Sequence, residues 1–148
     1  MICVNGLTKN SISTAFNASE KEFIKTTYCT DNGESSPETD DRVFLFSVKE
    51  IKNFSDIHCK TLLRTSGTDF AKMKKIDGCR LYLYDKTNQD NYIITNDEKT
   101  GCSRWLRTQG NKPSRAFFIG TGCSIRSYAN VSVAGDGVHP ALKLKLNL

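Results

Sequence analysis

The chain has 148 residues, of which 38% are hydrophobic and 25% are charged, and its formal net charge is +5. These values are typical of a soluble globular protein, and the length predicts a single domain over residues 1–148 whose core needs no metal or disulfide. The apolar runs are too short for a membrane helix, the N-terminus lacks the pattern of a signal peptide, and the scattered basic residues argue against nucleic-acid binding.

The first half of the sequence carries the helix signals. Residues 19–22 read Ser-Glu-Lys-Glu, the spacing of a capping box, and predict a helix over residues 19–28. Residues 47–50 read Ser-Val-Lys-Glu and predict a second short helix that ends near Phe54. A third short helix is predicted at residues 68–75, because an Asp-Gly turn follows it.

Strand signals dominate the second half. In the first half, only the apolar run Val43–Phe46 predicts a strand, which we expect to be buried. It follows a polar segment, residues 31–41, that we expect to be a mobile connection. The tail alternates leucine and lysine from Leu142 to Leu146, as in an antiparallel strand with one buried face. Helices followed by strands predict the α+β class. Further strands are predicted at residues 80–84, 92–95, 103–106, 116–119 and 131–133.

The cysteine spacing limits the metal chemistry. The chain has six cysteines but no C-x-x-C pair. This argues against a structural zinc site, because such sites in small domains draw their ligands from close pairs. The even spacing is compatible with disulfides across the fold and also with buried thiols, and it does not choose between them.

Motifs for catalysis or metal binding are incomplete. The two histidines, His58 and His139, have no triad context, and although His58 adjoins Cys59, neighbouring strand residues point to opposite faces. Residues 85–91 alternate oxygen ligands but lack the glycine and the closing glutamate of a calcium loop. We therefore expect no enzyme activity, no bound metal and no cofactor.

The last third of the chain carries a recognisable pattern, W-L-R-T at residues 105–108 and G-V-H-P-A-L at residues 137–142. It resembles the W-L-R-[ST] … G-V-R-P-A-L signature of a widespread bacterial domain family of unknown function. That family often has Trp where this chain has Arg104, and Arg where it has His139. The upstream segments 15–22, 41–50 and 68–71 also resemble the family, so the resemblance covers nearly the whole chain.

The resemblance implies a C-type-lectin-like fold, in the broad group that holds formylglycine-generating enzymes and retroelement-diversified receptors. Two or three short helices would flank small twisted antiparallel sheets, with the chain ends close together. The calcium-dependent sugar site of lectins is missing, so any sugar binding should be independent of calcium. We expect structural roles for Trp105, Gly137, His139 and Pro140, with His139 ordering nearby carbonyls less strongly than an arginine would.

The polar loop at residues 107–114 and the following region at residues 115–128 form the predicted binding surface. Strand alternation places Ala116 and Phe118 in the core and turns Arg115 and Phe117 outward. Packing of Phe117 under a neighbouring loop is the alternative. The predicted ligand-binding residues are Arg107, Asn111, Lys112, Arg115, Phe117, Arg126 and Tyr128.

These patterns favour a non-enzymatic module that binds a protein or glycan, such as a retroelement-diversified receptor domain. One alternative is a structural accessory module of a larger surface, phage or secreted protein. Another is an oxidase-like enzyme that uses Cys102 and Cys123. An extracellular or cell-envelope location is favoured if the domain belongs to a longer secreted protein, and the sequence does not identify the ligand or the oligomeric state.

Overall fold

The computed structural model of the protein describes residues 12–54, 102–120, 124–133 and 135–146. In these residues short helices lie beside small antiparallel sheets, so the predicted α+β class is confirmed. None of the helices in these ranges combines the length and apolar character needed to cross a membrane. The predictions at residues 58–59, 68–75, 80–84, 85–91 and 92–95 lie outside the described residues.

The described elements are three short helices and seven strands. The helices are α1 (residues 12–15), α2 (Ala18–Phe23) and α3 (residues 48–54). The strands are β1 (Ile24–Lys25), β2 (Thr27–Cys29), β3 (Thr39–Asp41), β4 (Arg104–Gln109), β5 (Arg115–Ile119), β6 (Ile125–Asn130) and β7 (Lys143–Leu144).

Helix α2 begins and ends earlier than the sequence predicted. Asn17 caps it: its Oδ1 accepts the Glu20 N–H at 2.9 Å, while Glu20 Oε2 accepts the Asn17 N–H at 2.8 Å. Ser19, the predicted cap, instead donates its hydroxyl to Asn17. The helix stops at Phe23 because Ile24 is extended, buried and paired with Leu144. The prediction of a helix over residues 19–28 is therefore wrong at both ends.

The pairing of β1 with β7 joins the two ends of the described chain. Ile24 lies opposite Leu144, and the Lys145 N–H donates to the carbonyl of Phe23 at 2.8 Å. The predicted antiparallel pairing of the tail is confirmed for this short stretch. The expected burial is wrong, because Leu144 is 55% exposed and Leu146 is 76% exposed.

Residues 31–41 are part of a hairpin rather than the expected mobile connection. Strand β3 pairs antiparallel with β2, with Cys29 opposite Thr39. The connecting turn is held by Asn32, which is 8% exposed and whose amide donates to the carbonyls of Cys29 and Pro37 at 3.2 and 2.7 Å. A buried side chain with two main-chain partners fixes the turn.

The segment Val43–Phe46 is mostly buried, as predicted, but within the described ranges it forms a single bridge instead of a strand. Phe44 and Ala141 exchange two main-chain hydrogen bonds, of 3.0 and 2.8 Å. The segment then leads into α3, where the predicted capping box is confirmed. Ser47 Oγ accepts the Glu50 N–H at 3.1 Å, and Glu50 Oε2 accepts the Ser47 N–H at 2.9 Å.

Strands β4, β5 and β6 form the three-stranded sheet that supports the predicted binding surface. The predicted strands at residues 103–106 and 116–119 correspond to β4 and β5. The strand predicted at residues 131–133 is wrong, because the chain turns there: the Val133 N–H donates to the Asn130 carbonyl at 3.0 Å. The strand runs from Ile125 to Asn130 instead.

Both faces of this sheet are covered by core side chains. On one face, which we call the Trp105 face, the buried cluster consists of Leu45, Trp105, Ala116, Phe118 and Ala129. On the other, the Leu106 face, Ile51, Leu106 and Ile119 form a second buried cluster. The predicted burial of Ala116 and Phe118 is confirmed.

Trp105 is 5% exposed and packs edge-on against Phe118, with ring centroids 6.1 Å apart. We expect Trp105→Ala to lower the free energy of unfolding by about 3–5 kcal/mol, because the lost ring leaves a cavity in the first cluster. Urea unfolding followed by circular dichroism measures this effect. The control is Tyr28→Ala, at a position that is 61% exposed, which should cost less than about 1 kcal/mol. Equal losses in the two variants would contradict a core role for Trp105.

Candidate binding surface

Arg107 lies at the centre of an internal hydrogen-bond network. Its side chain is only 7% exposed, and Nη1 contacts Glu50 Oε2 at 2.5 Å and the Leu45 carbonyl at 2.7 Å. Nη2 donates to the Thr30 carbonyl at 2.8 Å, and Nε lies 3.1 Å from both that carbonyl and Asn32 Oδ1. All three nitrogens of the guanidinium therefore have acceptors within the protein, which gives Arg107 a structural role. Its contact with a ligand stays a prediction.

Glu50 is the counter-charge of this network. Burial by itself raises the pKa of its carboxyl, but the hydrogen bond from Arg107, the bond from the Ser47 N–H and the charge of Arg107 outweigh burial, so the net pKa is lowered. Glu50 therefore stays ionised at neutral pH. The same carboxylate caps α3 and neutralises Arg107, which couples the start of the helix to strand β4.

The loop between β4 and β5 is a tight turn. The Gly110 N–H donates to the Arg115 carbonyl at 2.8 Å, and the Arg115 N–H donates to the Lys112 carbonyl at 2.9 Å. Asn111 and Lys112 are exposed, and Arg115 Nη1 lies 3.4 Å from Asn111 Oδ1. Gly110 is required sterically, because a Cβ atom there would lie 2.5 Å from the Ser127 carbonyl oxygen.

The sheet separates the predicted binding residues onto two faces. Along β5, Arg115 and Phe117 alternate with the core residues Ala116 and Phe118. Phe117 is partly buried and packs against the second cluster, on the face opposite Ala116 and Phe118. Arg126 lies opposite Phe118 in the register, so it belongs to the Trp105 face, whereas Arg115 belongs to the Leu106 face.

Arg126 and Tyr128 form an exposed pair on β6. Arg126 Nη1 donates to the Tyr128 hydroxyl at 2.8 Å, Nε donates to Ser124 Oγ at 3.0 Å, and the guanidinium carbon lies 5.9 Å from the ring centroid. Tyr128 is 55% exposed, yet its ring meets Phe118 edge-on with centroids 5.4 Å apart. The sheet thus carries a row of rings that begins in the core at Trp105, continues through Phe118 and ends at the surface with Tyr128.

A change in the pairing register between β5 and β6 determines the position of the Arg126–Tyr128 pair. Between the Ala116–Ala129 pair and the Phe118–Arg126 pair, β6 has one residue more than β5, which is a β-bulge. Bulges redirect side chains locally, and this one brings Tyr128 onto the ring of Phe118. Residue types identified Arg126 and Tyr128 in the sequence, but the supporting Ser124 was missed because a serine in a turn carries no specific signal.

The family of this chain follows from a direct comparison. The sequence profile of DUF6273, a domain of unknown function, matches residues 7–146. The chain belongs to the DUF6273 family. The expectation of a family without known function, extending over nearly the whole chain, is therefore confirmed. Among curated proteins and among solved structures, no significant match to this chain was found.

In this DUF6273 domain, the predicted structural residues near the C-terminus lie against β4. The Trp105 N–H donates to the Gly137 carbonyl at 2.9 Å, and the Gly137 N–H donates to the Ser103 carbonyl at 2.8 Å. His139 is half-buried and meets the ring of Phe46 edge-on, and its buried Nδ1 has no hydrogen-bond partner among the described residues. Pro140 is exposed. Ordering of carbonyls by His139 stays a prediction.

A buried carboxyl beside Gly137 was not predicted from the sequence. Asp136 is 8% exposed and accepts a hydrogen bond from the hydroxyl of Ser103. Burial raises the pKa of Asp136, and the bond from Ser103 opposes that rise only in part. This pair joins the start of β4 to the loop that carries Gly137, so we assign it a structural role.

Thiols and metal ligands do not converge in the described part of the domain. Cys29 and Cys102 are both buried thiols, and burial raises the pKa of Cys29. Cys123 lies outside the described residues, and an oxidase-like enzyme that uses Cys102 and Cys123 stays an alternative hypothesis. Across residues 12–54, 102–120, 124–133 and 135–146, no three His, Cys, Asp or Glu side chains form a group that could hold a metal ion.

We expect Arg107→Lys to lower the free energy of unfolding by about 2–4 kcal/mol. A lysine keeps the charge, but its single ammonium group cannot bond to the carbonyls of Thr30 and Leu45 and to the carboxylate of Glu50 at the same time. The matched control is Arg126→Lys at the surface, where the cost should stay below about 1 kcal/mol. Chemical denaturation of both variants measures the difference. Equal stability of the two would contradict the structural role of Arg107.

His139 should make the stability of the fold depend on pH. Burial, and secondarily the charge of Arg104, hold the pKa of His139 below 6.5 in the folded state. The unfolded chain therefore binds a proton before the folded chain does, so stability should fall as the pH decreases from about 6.5 towards the folded-state value. Below both values the loss is complete.

His139→Phe removes this titration and keeps a ring beside Phe46. Urea unfolding of both chains between about pH 7 and pH 5 isolates the effect of His139, since the remaining groups titrate in both. We expect the variant to lose less stability than the natural chain over this interval. Parallel profiles would show that His139 titrates alike in the folded and unfolded states.

Proposed function

We propose that this DUF6273 domain is a non-enzymatic binding module that holds a protein or glycan ligand without calcium. The observation that carries the proposal is the Arg126–Tyr128 pair, an exposed ring and an exposed cation fixed to each other and to a rigid sheet. Tyrosine and arginine are among the residue types enriched at the energetic centres of binding interfaces.

The support beneath the pair favours binding. Because Tyr128 rests on the buried Phe118 and Arg126 is held by Ser124, both side chains have already lost much of their rotamer freedom. Binding a ligand then costs little side-chain entropy, so the same contacts give a higher affinity.

The fold expected from the family resemblance is part of the proposal. A C-type-lectin-like domain has its chain ends close together, and the antiparallel pairing of β1 with β7 supports such an arrangement. The small antiparallel sheets and short helices are also compatible with it. We therefore propose that β4, β5 and β6 present the ligand-binding surface of such a domain.

The proposed surface is smaller than the one predicted from the sequence. It is centred on Arg126 and Tyr128 on the Trp105 face. Asn111, Lys112 and Arg115 lie at the turn and the strand that follow β4, and Arg115 points to the Leu106 face, so these residues can contribute only at the margin.

A screen on arrays of glycans and proteins, run in a chelating buffer, tests this function. We expect at least one ligand whose binding survives chelation and is lost in the double variant Arg126→Ala/Tyr128→Ala. The control is the double variant Lys143→Ala/Leu144→Ala on β7, which alters two exposed residues elsewhere. Binding that requires calcium, or that survives in the first double variant but not in the second, would overturn the proposal.

A further inference from the structure

The sheet that carries the proposed surface belongs to a stretch of sequence with only positive charge. Residues 101–135 contain no Asp or Glu, but they contain Arg104, Arg107, Lys112, Arg115 and Arg126. Arg104 is buried and Arg107 is paired with Glu50. No acidic side chain of the described residues pairs with the other three. An anionic partner would therefore complement the surface.

The guanidinium of Arg126 is oriented so that it can bind a carboxylate. Its Nε and Nη1 are engaged by Ser124 and Tyr128, while Nη2 has no hydrogen-bond partner among the described residues. A carboxylate can accept two parallel N–H bonds from Nη1 and Nη2, because its two oxygens match their spacing. The Tyr128 hydroxyl accepts from Arg126, so its own hydrogen is left to donate to an incoming oxygen.

The position of β6 favours a polypeptide over a sugar as the source of that carboxylate. β6 is the last strand of its sheet, and in the described part of the chain no strand pairs with its outer edge. The main-chain N–H and C=O groups of an edge strand can bond to an extended peptide, whereas a sugar offers no matching ladder. The bulge in β6 limits regular pairing, so the edge suits a short segment.

We infer that the partner of this surface is an acidic segment of another protein, lying along the outer edge of β6 with a carboxylate on Arg126 and an apolar side chain against the ring of Tyr128. This inference rests on the proposed function, and it names the class of ligand. The carboxylate supplies specificity, the ring supplies apolar contact, and the strand edge supplies the main-chain bonds.

Fluorescence anisotropy with a labelled synthetic peptide tests this inference on the full chain. The probe is a peptide of about ten residues that alternates Glu and Leu, a length that covers a short edge strand. Two matched probes carry Gln in place of Glu, or N-methyl groups on alternate amides that remove the main-chain donors. A labelled acidic oligosaccharide of the same charge represents the other source of a carboxylate.

We expect the acidic peptide to bind, and the Gln and N-methylated peptides to bind at least about tenfold more weakly, the change that one lost charge-assisted contact produces. Arg126→Gln and Tyr128→Ala should each weaken the acidic peptide to a similar extent. Lys145→Gln, which removes an equal charge from an exposed position near β7, should have little effect. It separates recognition at Arg126 from general attraction to a basic protein.

The results that would contradict the peptide partner differ from those that would contradict the binding function itself. If the acidic oligosaccharide binds through Arg126 and Tyr128 and the peptide does not, the surface is a binding site but the protein partner is wrong. If the N-methylated peptide binds as tightly as its parent, strand addition is wrong. If Lys145→Gln weakens the peptide as much as Arg126→Gln does, or if the peptide fails to bind at all, the inference is overturned.

Discussion

A buried guanidinium ties together segments that are distant in the sequence. Arg107 reaches the carbonyls of Thr30 and Leu45 and the carboxylate of Glu50, at sequence separations of 77, 62 and 57 residues. A buried charge is unfavourable unless it is neutralised and hydrogen-bonded, and here the protein meets both conditions. The hairpin of β2 and β3, the start of α3 and strand β4 are thereby fixed as one unit. Because β4 is fixed in this way, the sheet of β4, β5 and β6 is anchored along its first strand.

Local signals predicted the elements well where no distant contact competed with them. The capping box of Ser47 and Glu50 formed as expected. At α2 two overlapping boxes share the same spacing, one starting at Asn17 and one at Ser19, and the first is used. The helix ends before Ile24, which is extended and pairs with β7. A pattern of neighbours along the chain contains no information about that pairing.

The candidate binding residues were predicted by their type and not by their environment. The predicted alternation of side chains along β5 is correct, but the prediction assumed that one face of the sheet is exposed to solvent. Phe117 is packed because both faces of this sheet are covered. Arg107 stands beside a polar loop, and its partners are too distant in the sequence to be recognised. The pairing of Arg126 with Tyr128 depends on a bulge, for which a run of ordinary strand residues gives no signal.

The pairing of β1 with β7 has a consequence for the order of events during synthesis. Leu144 is synthesised 120 residues after its partner Ile24, and Ala141 is likewise synthesised long after its partner Phe44. Non-local pairings of this kind slow folding, because a long loop must close before its contacts form. A nascent chain on the ribosome therefore carries Ile24 and Phe44 without these strand partners until Ala141 and Leu144 have been synthesised. During that interval these side chains are exposed to chaperones and to neighbouring nascent chains.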